Sequence, residues 1–206
     1  MPPDMKAQLL DVFRRRHACH QFDPERGIPG DDLAFILEAG RLSPSSFGLE
    51  QWKFIVLTAQ QDKLALQTAC FQQPQVGTAS CDIVILAKIA DLHPDSPYVQ
   101  RQLAREYPGE LLAGALANYR GFHAATDVAA WSVTQCHIAA ANMMTAAAGI
   151  GIDSCAVGGF RADEVARLLT LEPGRYAVAL VLALGYCTEA AGEKLRLPLA
   201  ELVEYR

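Results

Sequence analysis

The sequence predicts an α+β protein in which a central mixed sheet is surrounded by helices. Segments of helical period alternate along the chain with short runs that are apolar at almost every position: Phe54–Leu57, Asp82–Ala87 and Ala177–Leu184. Such runs suit strands covered on both faces, since a half-exposed strand alternates apolar and polar residues. A longer stretch, Val128–Ile150, is rich in alanine and apolar around most of its circumference. That predicts a helix packed on several sides. Of the 206 residues, 51% are hydrophobic and 20% charged, with no repeat, low-complexity tract or linker. One domain spanning 1–206 is expected.

Taken in order, Met5–Arg16 reads as a helix with an apolar stripe of Leu9, Leu10, Val12 and Phe13. Asp31 or Asp32 can cap a second helix carrying Leu33, Ile36, Leu37 and Leu42, which Pro44 ends. The strand Phe54–Leu57, a helix over Gln60–Cys70 and the strand Asp82–Ala87 follow. From Leu92 to Ala125, Pro94, Pro97 and Pro108 break a partly helical pattern, and no element is assigned. The long helix follows Asp127 and stops at Gly149-Ile150-Gly151. Cys155–Val157 is extended, Ala162–Leu169 helical, and Ala177–Leu184 the strongest strand signal.

Composition excludes several classes of function. A formal charge of -5 without a basic run argues against a general nucleic-acid binder. Met1-Pro2-Pro3-Asp4 lacks the order of a secretory signal. Gln135, His137 and Asn142 interrupt Val128–Ile150, so a buried soluble helix is expected there rather than a membrane span. Cys19, Cys70, Cys81, Cys136, Cys155 and Cys187 are scattered without a CxxC pair, which predicts reduced, mostly buried thiols and a cytoplasmic protein. His17-Ala18-Cys19-His20 offers zinc-ligand atoms, but no second cluster completes a site, so no metal is expected. Ser45 and Ser46 lack a nucleophile-elbow setting, and no carboxylate pair stands out for hydrolysis.

The remaining candidates each have a plain reading beside a functional one. Ser43-Pro44-Ser45-Ser46-Phe47-Gly48 is a hydroxyl-rich turn leading into a buried strand. Arg14-Arg15-Arg16 ends a helix, where the dipole alone favours cations. With Lys194 and Arg196 these residues can also converge on a phosphate. Gly149-Ile150-Gly151 begins like a dinucleotide fingerprint, yet it lacks the third glycine and follows a helix, so a helix cap is expected. Val157-Gly158-Gly159 is a turn whose glycines allow a flat ligand to approach the backbone.

In this order, Arg15-Arg16-His17, Ser43–Leu57 and Lys194-Leu195-Arg196-Leu197-Pro198 resemble the FMN-dependent nitroreductase family over essentially the whole chain. The resemblance implies a nitroreductase-like fold with the long helix buried at a homodimer interface. It implies an oxidoreductase that takes hydride from NADPH or NADH onto FMN N5 and passes it to a nitroaromatic, quinone or related acceptor by a ping-pong mechanism. The flavin carries the hydride, so no catalytic side chain is assigned. Arg16, Lys194 and Arg196 would hold the FMN phosphate, with His17 and Ala18 beside them and His20 beneath the polar edge of the ring. Pro44, Ser45, Ser46 and Gly48 would come from the opposite subunit, Gln72 and Gln75 would face the pyrimidine edge, and Val157, Gly158 and Gly159 would lie against the flavin. This chain has Ala18 where relatives usually carry Ser, Gly158 where many carry Glu, Gln75 where some carry Lys, and Gln51 in place of a common Pro. Two alternatives accompany this reading: a same-fold flavoprotein performing enoate reduction, dehalogenation or dehydrogenation, and a flavin-binding or cofactor-free protein without turnover. Within the long helix, Ala139, Ala140 and Ala146 are expected to allow close approach of a partner helix, with Trp131 and Ile138 supplying buried area.

Overall fold

The computed structural model describes residues 3–206. Four strands, β1 (Trp52–Leu57), β2 (Cys81–Lys88), β3 (Asp153–Val157) and β4 (Tyr176–Gly185), form one sheet in the order β1-β2-β4-β3. The architecture is α+β, as expected, but the expectation of a mixed sheet is corrected. All three strand pairings are antiparallel, and one isolated parallel bridge joins Ala18 to Ser154. Uniformly apolar runs report burial on both faces, which helices provide here, and burial carries no information about strand direction.

Helices cover both faces. The face bearing Cys81, Ile83, Ile85, Leu180, Leu182 and Leu184 packs on α7 (Val128–Gly149) through Cys136, Ala139, Ala140, Met143 and Ala147, and on Ile36 of α2 (Gly30–Arg41). The other face, with Val84, Leu86, Val181 and Ala183, meets Leu66 and Ala69 of α3 (Gln60–Ala69), Val76 of α4 (Pro74–Thr78) and Val165 of α8 (Ala162–Leu168). Small residues set the spacing: a Cβ on Gly40 would lie 2.4 Å from Met143 Cε, so the Met143 side chain, packed over this glycine, would have to move for any larger residue. The end of α7 is the expected cap. Gly151 has φ +79°, its N–H bonds Ala148 O at 3.3 Å, and Ile152 N–H bonds Ala147 O at 2.9 Å. This is a Schellman motif.

Several expectations change. The cap of α2 is Pro29, without a side-chain hydrogen bond, and Asp31 and Asp32 lie in the first turn, where they complement the helix dipole. The stretch assigned no element holds two helices, α5 (Pro97–Glu106) and α6 (Leu111–Ala124). Pro97 does not break a helix but starts one, since Ser96 caps it by accepting from Val99 N–H at 3.1 Å. Leu9, Leu10 and Phe13 on α1 (Pro3–Arg15) are each about half exposed, so their stripe does not enter the core of the chain. Ala139 and Ala140 face the chain's own sheet rather than a partner helix; the open side of α7 carries Ala130, Thr134, Ile138 and Ala141. Cys19 and Cys187 are joined in a disulfide, a correction to the expectation of six thiols, while Cys70, Cys81, Cys136 and Cys155 are free and buried. Spacing cannot foresee a bridge between residues 168 apart that only the fold makes neighbours. Among the described residues no helix is long and apolar enough to cross a membrane, and no His/Cys/Asp/Glu group forms a metal site.

Candidate functional site

Two sequence clusters from opposite ends of the chain meet at the end of α1. The chain leaves that helix and runs beside β3, where Ala18 bridges Ser154 and Cys19 N–H donates to Ser154 O at 3.2 Å. The C-terminal segment returns to the same place. Lys194 Nζ donates to the Phe13 carbonyl at 2.6 Å and to the Arg16 carbonyl, so an ammonium caps the negative end of the helix. A cleft of about 440 Å³ results, lined by Arg14, Arg16, His17, Ala18, Lys194 and Arg196 among others. Burial, with Arg16 and Arg196 alongside, lowers the Lys194 pKa. Among the described residues, Arg14, Arg16, Lys194 and Arg196 have no carboxylate within ion-pair distance. His17 Nε2 is buried without a partner, although Nδ1 lies 3.3 Å from Arg15 O. Glu193 also lines the cleft, but cations outnumber it, and such an excess creates a potential that an anion relieves.

The edge of β3 continues this surface. Val157 is buried at the strand end, and Gly158 and Gly159 follow it into the open. A Cβ on Gly158 would meet nothing within 4 Å. The Gly159 carbonyl accepts Gln73 Nε2 at 2.8 Å, which ties the glycine turn to the Phe71–Gln73 loop. Phe71 and Gln72 both adopt positive φ, 57° and 59°, so this loop is held in a conformation unusual for non-glycine residues. Gln72 is exposed, with Nε2 3.4 Å from Thr68 Oγ1, and His20 is exposed on the strap after α1. Gln75 is different. Its side chain is buried and donates to Gln73 Oε1 at 2.9 Å, so it supports the loop from behind.

The hydroxyl-rich turn lies elsewhere in the chain, against the first two-thirds of α7. Ser43 Oγ accepts from Asn142 Nδ2 at 2.8 Å, and Ser46 N–H donates to Gln135 Oε1 at 3.0 Å. Phe47, Gly48 and Glu50 have φ of 59°, 63° and 44°, a tight left-handed path. It is closed internally: Ser45 Oγ accepts Glu50 N–H at 2.9 Å, and buried Gln51 donates to Ser46 O at 3.0 Å. The turn is also gripped from outside. Tyr98 Oη donates to Leu49 O at 2.7 Å, Lys88 Nζ to Glu50 O at 2.7 Å, and Arg105 pairs with Glu50 Oε1 at 2.7 Å. Burial lowers the Lys88 pKa to about 8, the cost of placing an ammonium under this turn. Pro44 remains exposed at the turn's entrance. The α1 end instead packs near Gly149. Along a helix at about 1.5 Å per residue, Gln135, which holds Ser46, stands roughly 20 Å from Gly149 and Asn142, which holds Ser43, roughly 10 Å, which separates the turn from the basic cleft within one chain.

The structure therefore brings together Arg16, His17, Ala18, Lys194 and Arg196, places Gly158 and Gly159 beside the Phe71–Gln73 loop, and sets Pro44–Gly48 apart. Sequence reasoning missed Gln73, Gln135, Asn142, Tyr98 and Arg105. A signal existed for two of them: Gln135 and Asn142, seven apart, share one face of an otherwise apolar helix.

Comparison with known proteins bears on the family and the fold. Residues 13–186 match the model of the nitroreductase family. A Bacillus subtilis protein named "Putative NAD(P)H nitroreductase YfkO" is 36% identical over 98% of this chain and 99% of its own. A Staphylococcus haemolyticus protein of the same description is 34% identical over 98% of each. Among solved structures, a Bacillus subtilis protein described as a putative nitroreductase superimposes with a TM-score of 0.84 over 98% of this chain and 100% of that one, at 21% identity. An Exiguobacterium sibiricum protein, described as a putative nitroreductase in complex with FMN, gives 0.80 over 96% and 97%, also at 21% identity. With a family match across most of its length and full-length relatives above 30% identity, this chain belongs to the nitroreductase family.

Proposed function

We propose that the chain is an FMN-dependent NAD(P)H oxidoreductase, a cytoplasmic homodimer of one-domain subunits, that reduces a nitroaromatic, quinone or related small acceptor. The observation that carries this reading is the basic cleft of Arg16, Lys194 and Arg196 with the orphaned His17 Nε2 beside it. A phosphate dianion there would accept from the guanidinium forks and give the imidazole a partner. The open backbone at Gly158 and Gly159 suits a flat ring, and the missing Ser hydroxyl at Ala18 leaves the phosphate to the cations and the backbone. When bound, FMN supplies the hydride chemistry in two half-reactions, with NAD(P)H leaving before the acceptor enters. The chain's own residues bind and orient: Arg16, Lys194 and Arg196 at the phosphate, His17 and His20 along the strap, Gln72 and the Val157–Gly159 backbone at the ring.

The dimer rests on exposed apolar surface. Met5, Leu9, Leu10 and Phe13 of α1, Ile138 of α7, and Leu195, Leu197, Leu199 and Leu202 of the C-terminal segment all stand open. Patches of this size mark interaction surfaces. A second chain would cover them and bring Pro44, Ser45, Ser46 and Gly48 to a cleft they do not reach within one chain.

The acceptor would meet an apolar cleft of about 290 Å³ beside the turn, lined by Phe47, Tyr107, Leu111, Gly114, Ala115 and Asn118. The test is FMN binding by fluorescence quenching, followed by NADPH and NADH oxidation with nitroaromatic, quinone and enone acceptors. Arg196→Ala removes a charge-assisted contact worth roughly 1.5–3 kcal/mol, so FMN affinity should fall about ten- to hundredfold. Unchanged affinity in Arg196→Ala would remove the phosphate assignment.

A further inference from the structure

The Cys19–Cys187 disulfide joins the two segments that build the basic cleft. Cys19 lies three residues beyond Arg16, and Cys187 begins the segment that carries Lys194 and Arg196. The bridge is not buried symmetrically: Cys19 is fully buried, whereas Cys187 is half-buried. Around it Cys187 pairs with Phe22 in an isolated antiparallel bridge, and Asp23 N–H donates to the Tyr186 carbonyl at 2.8 Å. Cys187 N–H donates to Asp153 Oδ2 at 2.9 Å, and Thr188 donates to the Gln21 carbonyl through N–H at 3.0 Å and through Oγ1 at 3.0 Å. Among the described residues no hydrogen bond holds the segment between Thr188 and Lys194, so it is pinned at the bridge and again where Lys194 Nζ donates to the Phe13 and Arg16 carbonyls. The Gln21 carbonyl has a further neighbour, since Cys19 Sγ lies 3.3 Å from it.

We propose that Cys19–Cys187 is a reversible thiol–disulfide site whose reduction by a dithiol loosens the C-terminal segment from the basic cleft. A dithiol thiolate attacks the sulfur of Cys187, the less buried of the two residues, the Cys19–Cys187 bond breaks, and Cys19 leaves as a thiolate that takes a proton. The second reagent thiol then displaces Cys187, which also takes a proton. The protein disulfide gains two electrons, and the reagent becomes a disulfide. The reduced Cys19 S–H is a new donor aimed at Gln21 O. A carbonyl has two lone pairs, and Thr188 already supplies two donors there, so the new donor competes with the anchor of the segment. In the cytoplasm such a bridge belongs with transient, redox-sensing disulfides rather than permanent ones. Its consequence for FMN rests on the phosphate reading above, because Lys194 and Arg196 travel with the segment.

The test uses the full chain, prepared without reductant and again after dithiothreitol. Denatured thiol titration should count four free thiols before reduction and six after. Trypsin cleavage after Lys194 and Arg196, followed by mass spectrometry of the released C-terminal peptides, should accelerate at least tenfold on reduction. Cys187→Ser should cleave at the fast rate in both conditions. The FMN dissociation constant should rise about tenfold on reduction. Six thiols without reductant, or equal cleavage rates in the four-thiol and six-thiol forms, would overturn the proposal. Faster cleavage with unchanged FMN affinity would support the switch and count instead against the phosphate assignment, which Arg196→Ala tests separately in the oxidised form.

Discussion

Asp82 lies in β2 between Leu57 and Ala183 on the neighbouring strands, fully buried, with neither carboxyl oxygen hydrogen-bonded. Lys63 is nearby but donates to the Ala79 carbonyl. Burial pushes the Asp82 pKa up to about 8, and the charge of Lys63 opposes this only in part. In the unfolded chain the group titrates near 3.9. Below about pH 4 the carboxyl is protonated in both states, and it exerts no pH-dependent effect. Between about pH 4 and pH 8 the unfolded chain releases the proton and the folded one keeps it, so stability falls by about 1.4 kcal/mol per pH unit. Above that range both states are ionised and the penalty is constant. At pH 7 the cost reaches roughly 4 kcal/mol as an upper bound.

Asp82→Asn removes this titration while leaving an amide of the same shape to be buried, at a cost of about 1–3 kcal/mol that does not vary with pH. The quantity that isolates the carboxyl is therefore the change in the stability difference with pH. Urea unfolding of parent and variant, without FMN and at one protein concentration, should show the variant gaining about 3–4 kcal/mol on the parent from pH 5 to pH 8. Parallel stability profiles across that range would refute the claim that Asp82 is held neutral in the fold.

Gly48→Ala should strain the hydroxyl-rich turn, since Gly48 has φ +63° and a Cβ there would lie 2.6 Å from Glu106 Cγ. A loss of about 1–2 kcal/mol in thermal or urea stability is expected from the backbone alone, together with a severalfold weaker FMN complex in titration. Light scattering at micromolar concentration should report about twice the chain mass of 22.3 kDa. Leu9→Glu, which places a charge on the open stripe of α1, should shift that mass toward the monomer and release FMN in parallel.

Much of this protein was legible in its residues. The uniformly apolar runs around Val84 and Val181 are buried strands, as their apolarity predicts, the run at Phe54 is a strand at the sheet edge and only half-buried, and Gly149-Ile150-Gly151 ended its helix as local backbone chemistry required. The resemblance carried by Arg16, Ser45 and Arg196 pointed to the family. These features are local, or repeat with a short period, and so are written in neighbouring residues. The tertiary structure decided what depends on distant partners. Apolarity could not tell whether Ala139 faced its own sheet or another chain, nor whether Leu9 would find a core. Gln75 looked like a ligand-facing amide until packing turned it inward toward Gln73. Above all, the cysteine pattern suggested unpaired thiols, because the contact between Cys19 and Cys187 exists only once β4 brings the C-terminal segment back to the strap beyond α1. Hydrophobic period and turn chemistry act over a few residues, whereas a disulfide, a buried carboxyl such as Asp82 and a converging cluster of cations are set by the path of the whole chain.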